Sequence, residues 1–190
     1  MLTMADSYFG AYGAASARPA ETWFGYDWMA CANCTFNGDC SDSCDRWGAI
    51  PFDRIGGFLF EPGSSSGLVR FPPEKLIRSI AAAIKSRNGL VLVNEVTTGV
   101  GRTGKWFGYQ HYGIQPDIVA MGKGIGNGYP LSAVVVKREI AEAMEQVPGD
   151  LRYQRVAAGE PDATAVSAQQ DQSLLTRYCD GHCRITSTAG

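Results

Sequence analysis

Residues 90–136 read LVLVNEVTTGVGRTGKWFGYQHYGIQPDIVAMGKGIGNGYPLSAVVV. Three continuous apolar runs divide the stretch: LVLV (90–93), DIVAM (117–121) and LSAVVV (131–136). Each is short and bounded by turn-forming residues, which predicts three buried strands. The first ends at Asn94-Glu95, and the second ends just before Lys123, a lysine set among glycines. Glycine allows close backbone approach and unusual dihedrals, so this loop suits a ligand contact as well as an ordinary tight turn.

The pattern continues on both sides. RIGGFLF (54–60) predicts a further strand, ending at Glu61-Pro62. PPEKLIRSIAAAIKSRNG (72–89) predicts an amphipathic helix: Leu76, Ile80 and Ile84 recur at i, i+4, i+8, with a proline near its first turn, basic residues near its last, and Gly89 closing it. KREIAEAMEQ predicts a helix after the last strand. Apolar strands alternating with a helix predict an α/β fold, a mostly parallel sheet with flanking helices covering both faces. The strand–helix–strand unit should cross over right-handedly. Ligands in such sheets bind beyond the carboxyl ends of the strands, so Glu61, Asn94, Glu95 and Lys123 are expected on one crevice.

Bulk properties narrow the function. A chain of 190 residues suits one core, here divided as an N-terminal segment (1–54), an α/β core (55–146) and a tail (147–190) without periodic pattern. A formal charge of -2 argues against nucleic acid as partner, and no apolar stretch has the length of a membrane span. The opening MLTMADSYFGAYG has neither the basic head nor the apolar segment of a secretory signal, so the expected location is cytoplasmic.

Four of the six cysteines, Cys31, Cys34, Cys40 and Cys44, have the spacing C-x2-C-x5-C-x3-C. In a reducing compartment this suggests metal ligation, by zinc or an iron–sulfur cluster, with reduced thiols or a disulfide pair as the other readings. GVGRTG (99–104) matches G-x-G-x-x-G, and with Lys105 it begins like a Walker A loop. Trp106 stands where a magnesium-binding Ser or Thr is needed, and five residues separate the motif from its strand. The expectation is a tight loop with Arg102 exposed. His111, inside an aromatic run, is expected to pack or bond locally.

In order and spacing, NEVTTGVGRTG, the aromatic run, PDI and KGIGNGYP resemble the cofactor-binding core of the class III pyridoxal-phosphate-dependent aminotransferases, the ornithine, acetylornithine and 4-aminobutyrate type. FLFEPGSSSGLVRFPPEKLI is similar to the family's E-P stretch and following helix, and SYFGAYGAASARP (7–19) resembles its S-Y-H-G segment. The resemblance runs over about residues 7–146. It implies the large-domain fold of fold type I transferases and a Schiff base between Lys123 and pyridoxal 5'-phosphate. It also implies transfer of an amino group from an amino acid or amine to a 2-oxo acid. A partly buried lysine is expected, since desolvation favours the neutral, nucleophilic amine. By the same resemblance Val96 presses on one face of the ring and Tyr8 stacks on the other, although both also suit a plain core. Thr97 takes the place of a ring-contacting glutamine, and Glu61 lies beside the substrate or simply ends a strand at the surface. A homodimer is implied.

Asn94 departs from the family, which carries aspartate to pair with the pyridine nitrogen. Asparagine keeps a hydrogen bond but brings no charge. Family members are more than twice as long and supply a phosphate-binding segment upstream and further domain parts downstream. Beyond about residue 150 no resemblance is found, and the tail reads as a foreign, irregular ending. A catalytically inactive remnant with a metal-binding cysteine loop is the alternative reading.

Overall fold

The computed structural model describes residues 1–3, 23–34, 40–41, 44–63, 69–129 and 131–146, together with the backbone of 183–185. In chain order the elements are β1 (Leu2–Thr3), β2 (Phe24–Gly25), α1 (Asp45–Gly48), β3 (Gly57–Phe60), α2 (Glu74–Lys85), β4 (Leu90–Asn94), β5 (Ile118–Met121), β6 (Ala133–Lys137), α3 (Arg138–Glu145) and β7 (Cys183–Ile185), with short 3-10 turns between. Among the described residues the strands form one sheet of order β2-β1-β3-β4-β5-β6-β7. No helix there is long and apolar enough to cross a membrane.

The first five strands run parallel, β6 pairs antiparallel with β5, and β7 pairs antiparallel with β6. The sheet is therefore mostly parallel, as its sequence pattern predicts. The turn in direction at β6 follows from the link over 122–132, which is too short for the crossover of a dozen or more residues that a parallel neighbour requires. β1 and β2 have no counterpart in the periodic pattern, because two residues are too few to show one. β7 lies in the tail expected to be irregular; the rest of that tail is outside the described residues.

Packing sets which residues face which way. In the β3–β4 register Phe58 lies beside Val91 and Phe60 beside Val93. All four are essentially inaccessible and share one core with Leu76, Ile77, Ile80 and Ile84 of α2. Each such side chain contributes roughly 1.5–3 kcal/mol of burial before conformational entropy is counted. Among the described residues α2 packs on one face, in keeping with the flanking helices expected, while Leu59 and Leu92, one residue out of phase on the other face, stay half-buried. Helix α2 ends where Gly89 N donates to Ile84 O, after Asn88 has taken the left-handed conformation at φ 58°. Gly89 is required for space instead, because a Cβ there would stand 2.6 Å from the Ile84 side chain.

The amino edge of the sheet is closed by Asp117, which is 4% exposed. Its carboxylate accepts from Val91 N at 2.8 Å and pairs with Lys137 Nζ at 2.7 Å and with Lys85. Its backbone bonds Val91 O and Lys137 N. One residue therefore ties β4, β5, β6 and the end of α2. Burial opposes ionisation here, but the hydrogen bonds from Lys137, Lys85 and Val91 outweigh it and hold the Asp117 carboxyl below the usual aspartate range.

Candidate active site

At the opposite edge the parallel strands β3, β4 and β5 end together, and each is followed by polar residues. One step past the Phe60–Val93 pair, Glu61 Oε1 accepts from Asn94 Nδ2 at 2.9 Å. Asn94 Oδ1 in turn accepts from Val96 N at 3.0 Å. Glu61 is only 7% exposed, which removes the reading of a surface carboxylate finishing a strand. The two residues reach each other because alternation places them both on the face away from α2, with Leu59 and Leu92.

Glu95 takes the other face and is fully inaccessible. Its carboxylate accepts from Thr98 Oγ1 at 2.7 Å, Gly108 N at 2.9 Å and Tyr109 N at 2.8 Å. It anchors the loop between β4 and β5 at both ends and does not reach the crevice. Close packing accompanies this anchor: a Cβ at Gly108 would stand 2.7 Å from Pro62, and one at Gly99 would stand 2.7 Å from Glu95 O. Tyr112 donates to Pro62 O at 2.8 Å, and burial, with Glu95 nearby, pushes its hydroxyl well up in pKa. The expectation that Glu95 shares the crevice with Glu61, Asn94 and Lys123 is thus corrected, because neighbouring strand residues point to opposite faces. The signal for the anchoring role was an acidic residue ending a buried strand before a glycine-rich loop, whose amides need acceptors. Within the loop Val100, Gly101 and Gly104 have positive φ and Arg102 is exposed, so the glycine motif is a turn, as expected. His111 Nε2 lies 3.1 Å from both Thr103 O and Thr103 Oγ1, a local bond.

Lys123 opens a 3-10 turn directly after β5 and Gly122. A Cβ on Gly122 would press on Val96 at 3.3 Å, so glycine lets this turn lie against Val96. Lys123 itself has φ 45°, a left-handed conformation that costs an ordinary residue about 1 kcal/mol. Its Nζ donates to Thr97 Oγ1 at 3.1 Å. The amine is thereby turned toward the carboxyl end of β4, where Val96 and Asn94 stand. The expected partial burial is not met: Lys123 is exposed, because its turn lies beyond the strand ends and not between sheet and helix. The structure thus brings together Lys123, Thr97, Val96, Asn94 and Glu61. Tyr8 lies outside the described residues.

The cysteine cluster is arranged differently from its spacing. Cys31, Cys34, Cys40 and Cys44 are free thiols, half-buried, around one cavity of about 340 Å³ that Tyr26 and Trp47 also line. Among the described residues no group of three or more His, Cys, Asp or Glu side chains is placed to hold a metal ion, so the tetrahedral set that the spacing suggests is not formed. The thiols have other partners: Cys31 Sγ lies 3.2 Å from the Tyr26 hydroxyl, and Cys31 and Cys40 pack against the core. Burial pushes the Cys40 thiol up in pKa.

Comparison with known proteins extends this picture. The model of the family "Aminotransferase class-III" matches residues 35–171, which begins later than the resemblance at 7–19 and corrects the expectation that no likeness extends beyond about residue 150. An uncharacterised aminotransferase of Bacillus subtilis is 36% identical over 136 residues, covering 67% of this chain and 30% of that protein. The acetylornithine aminotransferase of Methanopyrus kandleri is 39% identical over 123 residues, covering 65% of this chain and 31% of its own. The crystal structure of an (S)-enantioselective omega-transaminase from Thermomicrobium roseum aligns with 93% of this chain and 44% of its own, at 30% identity and a TM-score of 0.65. The chain spans less than half the length of each of these proteins. With 137 residues matched to the family model out of 190, the chain belongs to the class III aminotransferases.

Proposed function

We propose that the chain carries the lysine and ring-contacting part of a transaminase that moves an amino group from an amino acid or amine to a 2-oxo acid. Membership of the family implies pyridoxal 5'-phosphate as cofactor. The observation that carries the reading is the Lys123 amine, turned onto Thr97 at the carboxyl end of β4 by a left-handed lysine backbone. Strain of that kind persists where the surroundings fix it, and it is concentrated at functional sites.

The residues present fit the cofactor's chemistry. Val96 offers an apolar surface against which the Gly122 turn packs. Thr97 brings a hydroxyl to the Lys123 side, and Asn94 brings an amide to the other. When bound, the cofactor supplies an aldehyde for amine exchange and a conjugated ring that accepts electron density from the amino carbon. With the cofactor bound, Lys123 would hold its aldehyde end through the amine, and as a free base the same amine would hold and return the proton at the substrate's amino carbon. Thr97 Oγ1 orients that amine by accepting its hydrogen bond. Val96 limits ring movement and excludes water from one face. Tyr8 is proposed for the other face, and a homodimer in the cytoplasm is proposed for the whole assembly.

Incubation with pyridoxal phosphate followed by borohydride reduction tests this. Peptide mapping should find the cofactor's mass on Lys123, and Lys123→Ala should abolish it. Label spread over surface lysines, or undiminished in Lys123→Ala, would favour an inactive remnant.

A further inference from the structure

Four thiols share a cavity that the lysine-bearing edge does not use. Cys31, Cys34, Cys40 and Cys44 are free and half-buried, and they line a space of about 340 Å³ whose wall includes Pro73 and Leu76 at the start of α2. Among the described residues no three of them converge closely enough to hold a metal ion, which leaves the chemistry of thiols in pairs.

The backbone selects the pair. Cys31 N donates to Trp28 O at 2.8 Å and Ala32 N to Met29 O at 3.1 Å, a 3-10 helix that continues as a turn through Asn33. Residues three apart across a turn have Cα atoms within about 7 Å. A disulfide bridges Cα atoms about 4.4–6.8 Å apart. Cys31 and Cys34 stand in that relation, and both line the cavity. Cys31 is also held in place, because its Sγ lies 3.2 Å from the Tyr26 hydroxyl and its side chain packs against the core. Cys40 and Cys44 are four apart, with Cys44 extended at the start of α1, and lack that relation.

We propose that Cys31 and Cys34 form a reversible dithiol–disulfide site, reached through the cavity by small two-electron oxidants of the peroxide class. One thiol attacks a peroxide oxygen; the O–O bond breaks, water leaves and a sulfenic acid forms. The second thiol attacks that sulfur, the S–S bond forms and a second water leaves. The two thiols give up two electrons and two protons, and the peroxide takes up both. The proposal does not rest on the transaminase reading, and no result of Lys123 labelling bears on it.

The full chain, reduced and treated with a chelator, is exposed to hydrogen peroxide, alkylated and mapped by mass spectrometry. Loss of two hydrogens should appear first on the peptide carrying Cys31 and Cys34, and dithiothreitol should reverse it. Cys34→Ser should stop that loss and leave on Cys31 a sulfenic acid that dimedone traps; Cys31→Ser should do the same at Cys34. A C-x-x-C pair also closes in an unfolded chain, so the unaltered protein is equilibrated in glutathione buffers with and without urea. The disulfide should be favoured about tenfold or more in the folded chain, because the turn already sets the two residues together. Oxidation should accordingly raise the melting temperature. A first disulfide to any other cysteine or to a second chain, four thiols oxidising at equal rates, or a pair no more favoured than in urea overturns the proposal.

Discussion

The two edges of one sheet treat polar groups in opposite ways. At the amino edge Asp117 is closed on all sides: two lysines and a backbone amide saturate its carboxylate, and four elements meet there. At the carboxyl edge Glu61 and Asn94 are bonded to each other, while Lys123 stands exposed on a strained backbone. The first arrangement spends charge on holding strands in register. The second keeps an amine and an amide accessible at the strand ends, where parallel strands direct their following loops. An ionic cluster and the lysine-bearing edge can thus share the same strands without competing.

Asp117→Ala should produce the largest effect on stability. It strands Val91 N and removes the partner of two lysines, and should cost about 3 kcal/mol in chemical denaturation, moderated because both lysines reach solvent. The folded-state pKa of Asp117 lies below its unfolded value of 3.8, so its contribution is fully present above about that pH and is lost as pH falls through the lower folded value. Asp117→Asn should therefore flatten the acid limb of a melting-temperature profile in that window. An unchanged limb would show that the closed edge is not electrostatic.

Glu95→Ala comes next, at roughly 2 kcal/mol, because Gly108 N and Tyr109 N lose their acceptor inside the molecule. It should also reduce labelling of Lys123, since the same loop presents Val96 and Thr97. Loss of stability with normal labelling would uncouple the loop from the site. The smallest effect should have the opposite sign. Lys123→Gly relieves the left-handed strain and should raise stability without cofactor by up to about 1 kcal/mol, while abolishing labelling. A destabilised Lys123→Gly would mean that the bond to Thr97 outweighs the strain.

Much of the core was legible because its elements carry a strong period. The α2 stripe at Leu76, Ile80 and Ile84 and the runs at 90–93 and 117–121 each match one template, and glycine spacing around Lys123 singled it out. Other features left no such trace. β1 and β2 are two residues each and draw their stability from neighbours across the sheet, not from a local pattern. The cysteine spacing suggested a metal, but spacing reports distance along the chain; packing against Tyr26 and the core decided where the thiols went. The bond from Asn94 to Glu61 could not be read locally, because that partner lies on a different strand.

By itself the sequence determined the strand and helix periods, the identity of the lysine and the family to which the chain belongs, since these are recorded in local order and spacing. Tertiary structure alone decided that Glu61 meets Asn94, that Glu95 turns inward to hold the loop, and that Lys123 adopts a left-handed backbone. Each of those depends on contacts between segments distant in sequence, and a one-residue slip in strand register would turn Glu61, Asn94 and Glu95 to the opposite faces.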